Sequence, residues 1–316
     1  MQVTQCAKEP LISLIITYYN LGEFIQDCIN SIKNQQYQNY EIIVVNDCSD
    51  EKNSAILNNF NDKKIKIVSL SENKGQLQAF KEGLSHSKGE FICMVDADDV
   101  LLPNYLKTLL FAHLNNNYAL ISCCGGEINE KNEITSYKTT SQTKISYQEI
   151  EDSFKVKDYF EVQKVKAPFG LWSWNPSSSA MFRKSALDIL NYFPDENYWK
   201  TGADKVIFSL LHLVGGSAII TSVNFLYRHH SANNSQTTLT TGDKKYLSEN
   251  YINKLIAWNK KLRIDTLKML VENKKEFIKK YNKLNYSKML LRVIFCINLK
   301  VCAKIIKTFA HKLIRF

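Results

Sequence analysis

The sequence predicts an α/β fold, in which a mostly parallel sheet is covered by helices on both faces and is followed by a helical, basic tail. Across the first 125 residues, short apolar runs alternate with segments whose apolar residues recur at helical spacing. The short runs are apolar along nearly their whole length, as expected for strands that are buried on both faces. The tail is inferred from charge, because residues 250–316 hold 17 of the 41 Lys and Arg but only 3 of the 31 Asp and Glu.

The predicted elements follow one another closely along the first half of the chain. Five strands are predicted, at residues 11–17, 41–45, 65–70, 91–95 and 118–124. The helices predicted between them cover residues 23–36, 76–87 and 104–116. Pro103 favours the start of the last helix, because its fixed φ angle suits a first helical turn. The strands at 11–17, 65–70 and 91–95 therefore each lead into a helix that can cover the sheet.

The second half of the chain is less regular. Residues 127–166 are polar and weakly periodic, so we predict an irregular excursion with short helices. A loop with two Trp, two Pro and a run of Ser follows at 167–180. Further helices are predicted at 184–192 and 203–214, and strands at 217–223 and 225–228.

Composition excludes several classes of protein. The eight Cys form no CxxC pair, which predicts a reducing compartment with neither a disulfide framework nor a zinc cluster. Residues 1–10 lack the basic and then apolar pattern of a signal peptide, so we expect no leader there. The net charge of +10 comes entirely from the tail, so it does not indicate a nucleic-acid-binding domain. Ser, Thr, Asn and Gly cluster near 240–250, which predicts a boundary between a domain at 1–245 and the tail at 246–316.

Three acids lie where the fourth predicted strand ends, at Asp96, Asp98 and Asp99. Carboxylates this close repel one another unless a cation shares them, and Mg²⁺ commonly takes one or two carboxylates together with substrate phosphates. The alternative is a solvated acidic loop, since Asp is common at turns and helix N-caps. The polar segments 17–20 and 46–47 follow two other parallel strands, and ligands bind at the edge where such strands end. We therefore expect a metal-assisted site for a phosphorylated substrate at this edge.

Four motifs, in order and spacing, resemble glycosyltransferase family 2 of the bacterial surface-polysaccharide type, whose members have the Rossmann-like GT-A nucleotide-sugar-binding fold. They are residues 15–20 (IITYYN), 44–50 (VVNDCSD), 73–80 (NKGQLQAF) and 95–99 (VDADD). The resemblance continues more loosely to residues 202–204 (GAD) and 227–230 (YRHH), and it covers roughly residues 10–235.

The resemblance implies a binding site for a nucleotide-sugar donor. Thr17 and Tyr19 would line the nucleobase pocket, with Tyr19 stacking on the base. Asp47 would accept the N–H of the base imide, which favours a UDP-sugar, although Asn46 stands where the family often has a second acid. Asp96 would contact the ribose, or the metal through water. Lys81 occupies a position where Asn is common, so we expect it to alter the donor contacts.

The resemblance also implies the metal and catalytic residues. Asp98 would ligate Mn²⁺ or Mg²⁺, which bridges the diphosphate, and His230 matches a histidine close to the metal. The adjacent His229 offers the same chemistry and competes for that role. Asp204 stands where the family has its catalytic base. The alternative is that Asp204 merely caps the helix at 203–214.

The activity implied is a metal-dependent, inverting transfer of a hexosyl or N-acetylhexosaminyl unit to a hydroxyl of a lipid-linked, cell-surface glycan intermediate. The donor-binding half would cover residues 10–125 and the acceptor half residues 126–245.

Trp172 and Trp174 are expected to bind the acceptor. The alternative is ordinary packing of the loop at 167–180.

Two other functions remain as alternatives. A nucleotidyltransferase also combines an α/β sheet, Mg²⁺ and acids, but it usually has an early Gly-rich, basic phosphate loop, which residues 17–20 lack. A catalytically degenerate membrane-bound scaffold would not need the acids at 96, 98 and 204. A dinucleotide-dependent oxidoreductase is disfavoured because no GxGxxG follows the first strand.

The tail favours contact with a membrane. From Lys288 onward it holds seven Lys and Arg and no acid, and apolar residues such as Met289, Val293 and Ile297 fill the spaces between them. No uncharged stretch reaches the roughly 20 residues that a spanning helix needs. We therefore predict an amphipathic helix on an anionic membrane surface. The resemblance implies that the protein is peripheral at the inner face of the cell membrane, because many bacterial members of the family act on lipid-linked acceptors there. The alternative is a helix packed on the catalytic domain or at the interface of a homo-oligomer.

Overall fold

The computed structural model describes residues 9–138, 160–170, 173–194, 197–231, 238–241, 244–247 and 249–296. In these residues, ten strands form one mixed sheet and two further strands form a separate hairpin. The strands are β1 (Ile12–Tyr18), β2 (Tyr40–Asn46), β3 (Ile65–Ser69), β4 (Phe91–Asp96), β5 (Val100–Leu101), β6 (Leu120–Ile128), β7 (Ile134–Lys138), β8 (Val162–Lys164), β9 (Ala180–Arg183), β10 (Ser217–Arg228), β11 (Thr238–Thr241) and β12 (Lys244–Leu247).

Helices connect the strands and cover the sheet. They are α1 (Ile25–Lys33), α2 (Glu51–Ile56), α3 (Gln76–His86), α4 (Tyr105–Asn115), α5 (Lys184–Leu187), α6 (Ala203–Gly215), α7 (Glu249–Glu272) and α8 (Lys274–Ile294). Short 3₁₀ turns lie at Leu57–Asn59, Ser177–Ser179, Asp188–Tyr192 and Asn197–Trp199.

The centre of the sheet is parallel, as predicted, and one short strand interrupts it. The main path of the sheet runs β3-β2-β1-β4-β9-β6-β10-β5. The pairs β1–β2, β1–β4 and β2–β3 are parallel, whereas β9 lies antiparallel between β4 and β6. The prediction missed β9, because four residues are too few to show a period.

Burial of β1 on both faces explains its sequence. All seven of its residues are buried, and successive side chains point to opposite faces. Ile12, Leu14 and Ile16 belong to one apolar core, and Ile15 belongs to the core on the other face. The sheet therefore lies between two apolar layers.

The second half of the chain differs from its prediction in three places. The two strands predicted at 217–228 are one strand, β10, with irregular register near its middle. The helix predicted at 184–192 is the short α5 followed by a 3₁₀ turn. The predicted excursion at 127–166 contains β7 and β8 in its described part, and residues 139–159 lie outside the described residues.

The first part of the basic tail packs against α6 and the sheet. Leu262 and Leu270 of α7, with Phe277, Met289 and Val293 of α8, are buried in the same core cluster as α6. Of the helix predicted from Lys288 onward, Met289 and Val293 therefore pack on the rest of the chain, as the alternative prediction has it. Residues 297–316 lie outside the described residues. Among the helices that are described, none has the length and apolar character needed to span a membrane.

Candidate active site

The polar segments predicted to converge lie together at the carboxyl ends of β1, β2 and β4. In the parallel register, Tyr18 lies opposite Asn46 and Thr17 lies opposite Asp96. The hydroxyl of Thr17 donates to Asp96 Oδ1 across 3.3 Å. The prediction of one edge built from three segments is therefore confirmed.

Asp96 is held by side chains from three other elements. Besides Thr17, the amide of Gln76 in α3 donates to Oδ1 at 2.7 Å, and the hydroxyl of Ser177 donates to Oδ2 at 2.5 Å. The backbone N–H of Asp96 donates to Ser178 Oγ at 3.0 Å. Loss of water around the carboxyl, with the charge of Asp98 nearby, raises the pKa of Asp96 to about 7. Sequence reasoning missed Gln76 and the two serines, because their contacts join residues far apart in the chain.

Asp98 and His230 form a buried pair. Nε2 of His230 lies 2.8 Å from Asp98 Oδ2, and each residue is only 8% exposed. The ring of Phe24 packs against the imidazole, with 4.6 Å between the ring centroids. His229 points elsewhere, since Nε2 of its half-exposed side chain lies 3.5 Å from Glu127. Of the two competing histidines, His230 is therefore the one beside the acid.

This pair fits a divalent cation that is completed by a ligand. In this structure the two side chains are hydrogen-bonded to each other, and they bring one nitrogen and one oxygen donor to the same point, both of which a divalent ion can take as ligands. The described ranges contain no group of three or more His, Cys, Asp or Glu side chains placed to hold a metal. The remaining ligands would have to come from substrate phosphates and water, as is usual for Mg²⁺.

A fully buried arginine anchors the acidic turn. Arg228 Nε donates to the carbonyl oxygen of Asp98 at 2.7 Å, and the backbone N–H of Arg228 donates to Asp99 Oδ1 at 3.1 Å. The guanidinium lies over the ring of Phe24, 5.0 Å from its centroid. Burial, with the charges of Asp98 and Asp96, raises the pKa of Asp99 well above its usual range. The sequence signal was an Arg at the end of an apolar strand, directly before the two histidines.

Asp47 holds a turn that leads into α3. Its Oδ1 accepts the backbone N–H of Lys74 at 2.7 Å, and its Oδ2 accepts that of Gly75 at 2.8 Å. A base imide would therefore share oxygens that already accept two hydrogen bonds, and the contact between Asp47 and the base stays a prediction. Tyr19 is 49% exposed at the same edge. Lys81 lies half-buried in the middle of α3.

The same turn contacts the segment that precedes Asp204. The backbone N–H of Gln76 donates to the carbonyl of Lys200 at 3.0 Å, and Lys200 Nζ donates to the carbonyl of Asn73 at 3.1 Å. Gly75 has a φ of +84°, and a Cβ there would lie 2.4 Å from Cα of Lys200. Only glycine fits this close approach of two backbones.

Asp204 lies in the first turn of α6 and is not its cap. Gly202 occupies the N-cap position, so the alternative role of Asp204 as N-cap is wrong. Asp204 Oδ1 accepts the backbone N–H of Lys205 at 2.7 Å. Burial raises the pKa of Asp204, and its charge contributes to the raised pKa of Asp96. The predicted base thus lies within electrostatic range of the acidic edge.

Of the two tryptophans predicted to bind an acceptor, Trp174 is a core side chain and Trp172 lies outside the described residues. Trp174 is 6% exposed, donates its indole N–H to Ser217 Oγ at 2.9 Å, and packs edge-on against Phe208 and His212. These are the contacts of a core side chain, although Trp174 also lines a surface hollow of about 340 Å³. Its acceptor role stays a prediction.

A larger cavity of about 480 Å³ opens beside the Asp98–His230 pair. It is lined by residues 20–24, by Lys52, Asn53 and Ile56, and by Glu130, His230 and Ser231. The site therefore has room for a ligand next to its imidazole.

Comparisons with known proteins agree with this geometry. Residues 13–190, more than half of the chain, match the family model described as glycosyl transferase family 2. Glycosyltransferase GlyG of Streptococcus pneumoniae is 37% identical over 101 residues, which are 31% of this chain and 34% of that protein. The matches span between about a third and a half of the length of the first curated relatives.

Solved structures share the fold at low sequence identity. TarS 1-349 of S. aureus, in complex with UDP-GlcNAc, has a TM-score of 0.57 at 16% identity, with 92% of this chain and 83% of that one covered. Mannosyltransferase PcManGT of Pyrobaculum calidifontis, in complex with GDP-Man and Mn²⁺, has a TM-score of 0.51 at 17% identity, with 96% and 76% covered. The α/β prediction, with its mostly parallel sheet and helical C-terminal region, is confirmed.

Proposed function

Because the chain belongs to glycosyl transferase family 2, we propose that it is a glycosyltransferase whose donor is a UDP-sugar. It would move a hexosyl or N-acetylhexosaminyl unit from that donor to a hydroxyl of a lipid-linked, cell-surface glycan intermediate. The observation that carries the proposal is the buried pair of Asp98 and His230, 2.8 Å apart at the end of β4. It supplies one oxygen and one nitrogen donor at the edge where ligands of such sheets bind.

The donor is proposed to lie across the carboxyl ends of β1, β2 and β4. Thr17 and Asp47 would face the nucleoside, and the half-exposed ring of Tyr19 would stack on the base. Asp96 would accept the ribose hydroxyls. Its carboxylate is already oriented by Gln76 and Ser177, so little ordering is lost when the donor binds.

Asp98 and His230 would hold Mn²⁺ or Mg²⁺ against the diphosphate of the donor. A divalent ion, when bound there, stabilises the negative charge that develops on the departing nucleotide diphosphate. In support, the pair brings one nitrogen and one oxygen donor to the same point, and a structural neighbour of the same fold was solved with Mn²⁺ and GDP-Man.

Asp204 is proposed as the general base of a single, inverting displacement. The acceptor hydroxyl would give its proton to the Asp204 carboxylate while the bond from the acceptor oxygen to the anomeric carbon forms and the bond to the diphosphate breaks. Its raised pKa supports this role, because a base is most effective when its pKa approaches the working pH.

The acceptor is proposed to approach from the side of residues 167–180, with the protein peripheral at the inner face of the membrane. In this arrangement residues 1–245 form the catalytic unit and residues 246–316 form the region that meets the membrane. Buried contacts join the described part of that region to the catalytic core.

The experiment is a screen of sugar nucleotides for thermal stabilisation of the protein, with Mn²⁺ and with a chelator. We expect a UDP-sugar to raise the Tm with Mn²⁺ only, and Asp98→Ala to remove this increase. Asp188→Ala, which changes an exposed acid paired with Lys280, is the control. If no sugar nucleotide raised the Tm, whether Mn²⁺ or the chelator is present, the proposal would be overturned. Stabilisation by nucleoside triphosphates alone would favour a nucleotidyltransferase, and donor binding without transfer would favour a degenerate scaffold.

A further inference from the structure

The second half of α8 carries an exposed apolar stripe. The chain kinks at Asn282, whose side-chain oxygen accepts the backbone N–H of Asn285 and so caps the helical segment that follows. In this segment Leu284, Leu291 and Phe295 are 64%, 50% and 82% exposed. Their spacing of seven and four residues places them on one face of the helix.

The opposite face of the same segment is already used. Tyr286, Met289 and Val293 are buried against the catalytic core, and Leu290 and Ile294 pack beside them. Met289 and Val293, which sequence patterning assigned to a membrane, therefore hold the helix on the protein. The exposed stripe is a second, narrower apolar face.

Cations border the stripe. Lys283, Lys288 and Arg292 are exposed on this segment. The sequence has no Asp or Glu from residue 277 to residue 316. A symmetric dimer through this face would bring these cations together, which disfavours a second copy of the chain as the occupant. An apolar stripe between cations instead matches the acyl and headgroup layers of an anionic bilayer.

The end of the stripe lies beside the proposed acceptor side. Arg263 of α7 donates from Nη1 to the carbonyl of Cys296 at 2.8 Å, and from Nε to the carbonyl of Phe169 at 3.3 Å. One side chain thus joins the residue after Phe295 to the loop at 167–170. A surface that holds Phe295 would hold this loop close to it.

We propose that Leu284, Leu291 and Phe295, flanked by Lys283, Lys288 and Arg292, are the face by which the protein docks on an anionic lipid bilayer. The benefit of docking rests on the proposed function, since a lipid-linked acceptor would be presented at the bilayer surface. Docking itself needs no sugar transfer, so the two proposals can fail separately.

The test is co-sedimentation of the full chain with vesicles. Vesicles of equal parts phosphatidylglycerol and phosphatidylcholine are compared with vesicles of phosphatidylcholine alone. We expect the native chain to bind the anionic vesicles only. The double variant Leu291→Ser, Phe295→Ser is expected to bind them at least about tenfold more weakly, because two large apolar side chains no longer enter the bilayer. Ile256→Ser and Phe111→Ser, which remove apolar side chains that are 60% and 58% exposed elsewhere, are matched controls and leave binding unchanged.

Charge provides an independent measurement. Lys288→Glu is expected to weaken binding to the anionic vesicles at least about fivefold, and added salt to weaken binding of the native chain. The far-UV circular dichroism and the Tm of these variants without any ligand, unchanged from the native chain, show that they remain folded. Equal binding by native and stripe variants, or equal binding to both kinds of vesicle, would overturn the inference. So would a dimer in light scattering that the stripe variants convert to monomer.

Discussion

Asp204 is the single residue on which the proposed chemistry depends most. Its carboxyl lies in the first turn of α6, where Oδ1 accepts the backbone N–H of Lys205. Asp204→Asn keeps the shape of the side chain and removes its basicity. We expect the transfer rate to fall by about 10²–10⁴-fold, the usual contribution of a general base. Donor affinity, measured by calorimetry, should stay within about twofold, since the base contacts the acceptor. Asp188→Asn, an exposed acid paired with Lys280, is the control for loss of a charge.

If Asp204 is the base, its burial is also expected to set the pH dependence of the reaction. Because burial raises its pKa, the group takes up a proton at a higher pH than an ordinary Asp, whose pKa is about 3.9. Only the deprotonated form can accept the proton of the acceptor. The rate should therefore fall as the pH drops through the raised pKa, at a pH where free Asp would still be ionised. The measurement is kcat against pH, and an acid limb centred at or below about pH 3.9 would contradict it.

Two residues that sequence reasoning missed are expected to tune donor affinity through Asp96. Gln76→Ala and Ser177→Ala each remove one hydrogen bond to its carboxylate. A bond to a charged group contributes about 1.5–3 kcal/mol, so we expect the donor Kd to rise about tenfold or more for each variant. Ser85→Ala removes a hydroxyl that bonds only within α3, and it should leave the Kd unchanged. If kcat fell while the Kd did not change, Asp96 would act in the chemistry and not in donor binding.

Among the elements, the turn at 73–76 combines a positive φ with a close backbone contact. A methyl group at Gly75 would lie 2.4 Å from Lys200, whereas one at Gly216, with a φ of +69°, would meet nothing closer than 3.5 Å. Gly216→Ala should therefore cost about 1 kcal/mol of unfolding free energy for the backbone conformation alone. Gly75→Ala should cost at least about 1–3 kcal/mol more, because the turn and the Lys200 segment must separate. Urea titration of both variants measures the difference, and equal losses would contradict it.

The elements that the sequence predicted well are those with a strong local pattern. β1, β2 and β4 could be found because each is six or seven residues long and apolar along most of its length, which is typical of strands buried on both faces. Their polar ends converge by topology, so the acidic edge could be anticipated. The serine contacts to Asp96 could not, since they join residues about 80 positions apart through the short antiparallel β9. The sequence pattern of the tail predicted an apolar helix face. It could not predict that the rest of the chain, and not a membrane, would cover Met289 and Val293 on that face.

At the scale of the whole molecule, the C-terminal helices and the catalytic sheet share one core. Phe277, near the start of α8, is 1% exposed within that core, whereas Phe295, which directly follows the end of α8, is 82% exposed. Phe277→Ala should lower the free energy of unfolding by about 3–5 kcal/mol. Phe295→Ala should change it by less than about 0.5 kcal/mol. Chemical denaturation of the two variants makes this comparison, and similar stabilities would show that α8 is dispensable. A deletion of residues 285–316 would remove buried Met289 and Val293 as well, so point substitutions separate docking from folding more cleanly.

The hydrogen bond from Gln76 to Lys200 joins the turn held by Asp47 to the segment that ends at Asp204. A nucleotide that settles on the turn at 73–76 would also immobilise this segment, on which the second substrate depends. We therefore expect an ordered kinetic mechanism, in which the sugar nucleotide enters first and free UDP leaves last. Product inhibition would reveal it: UDP should compete with the sugar nucleotide but inhibit noncompetitively against the glycan.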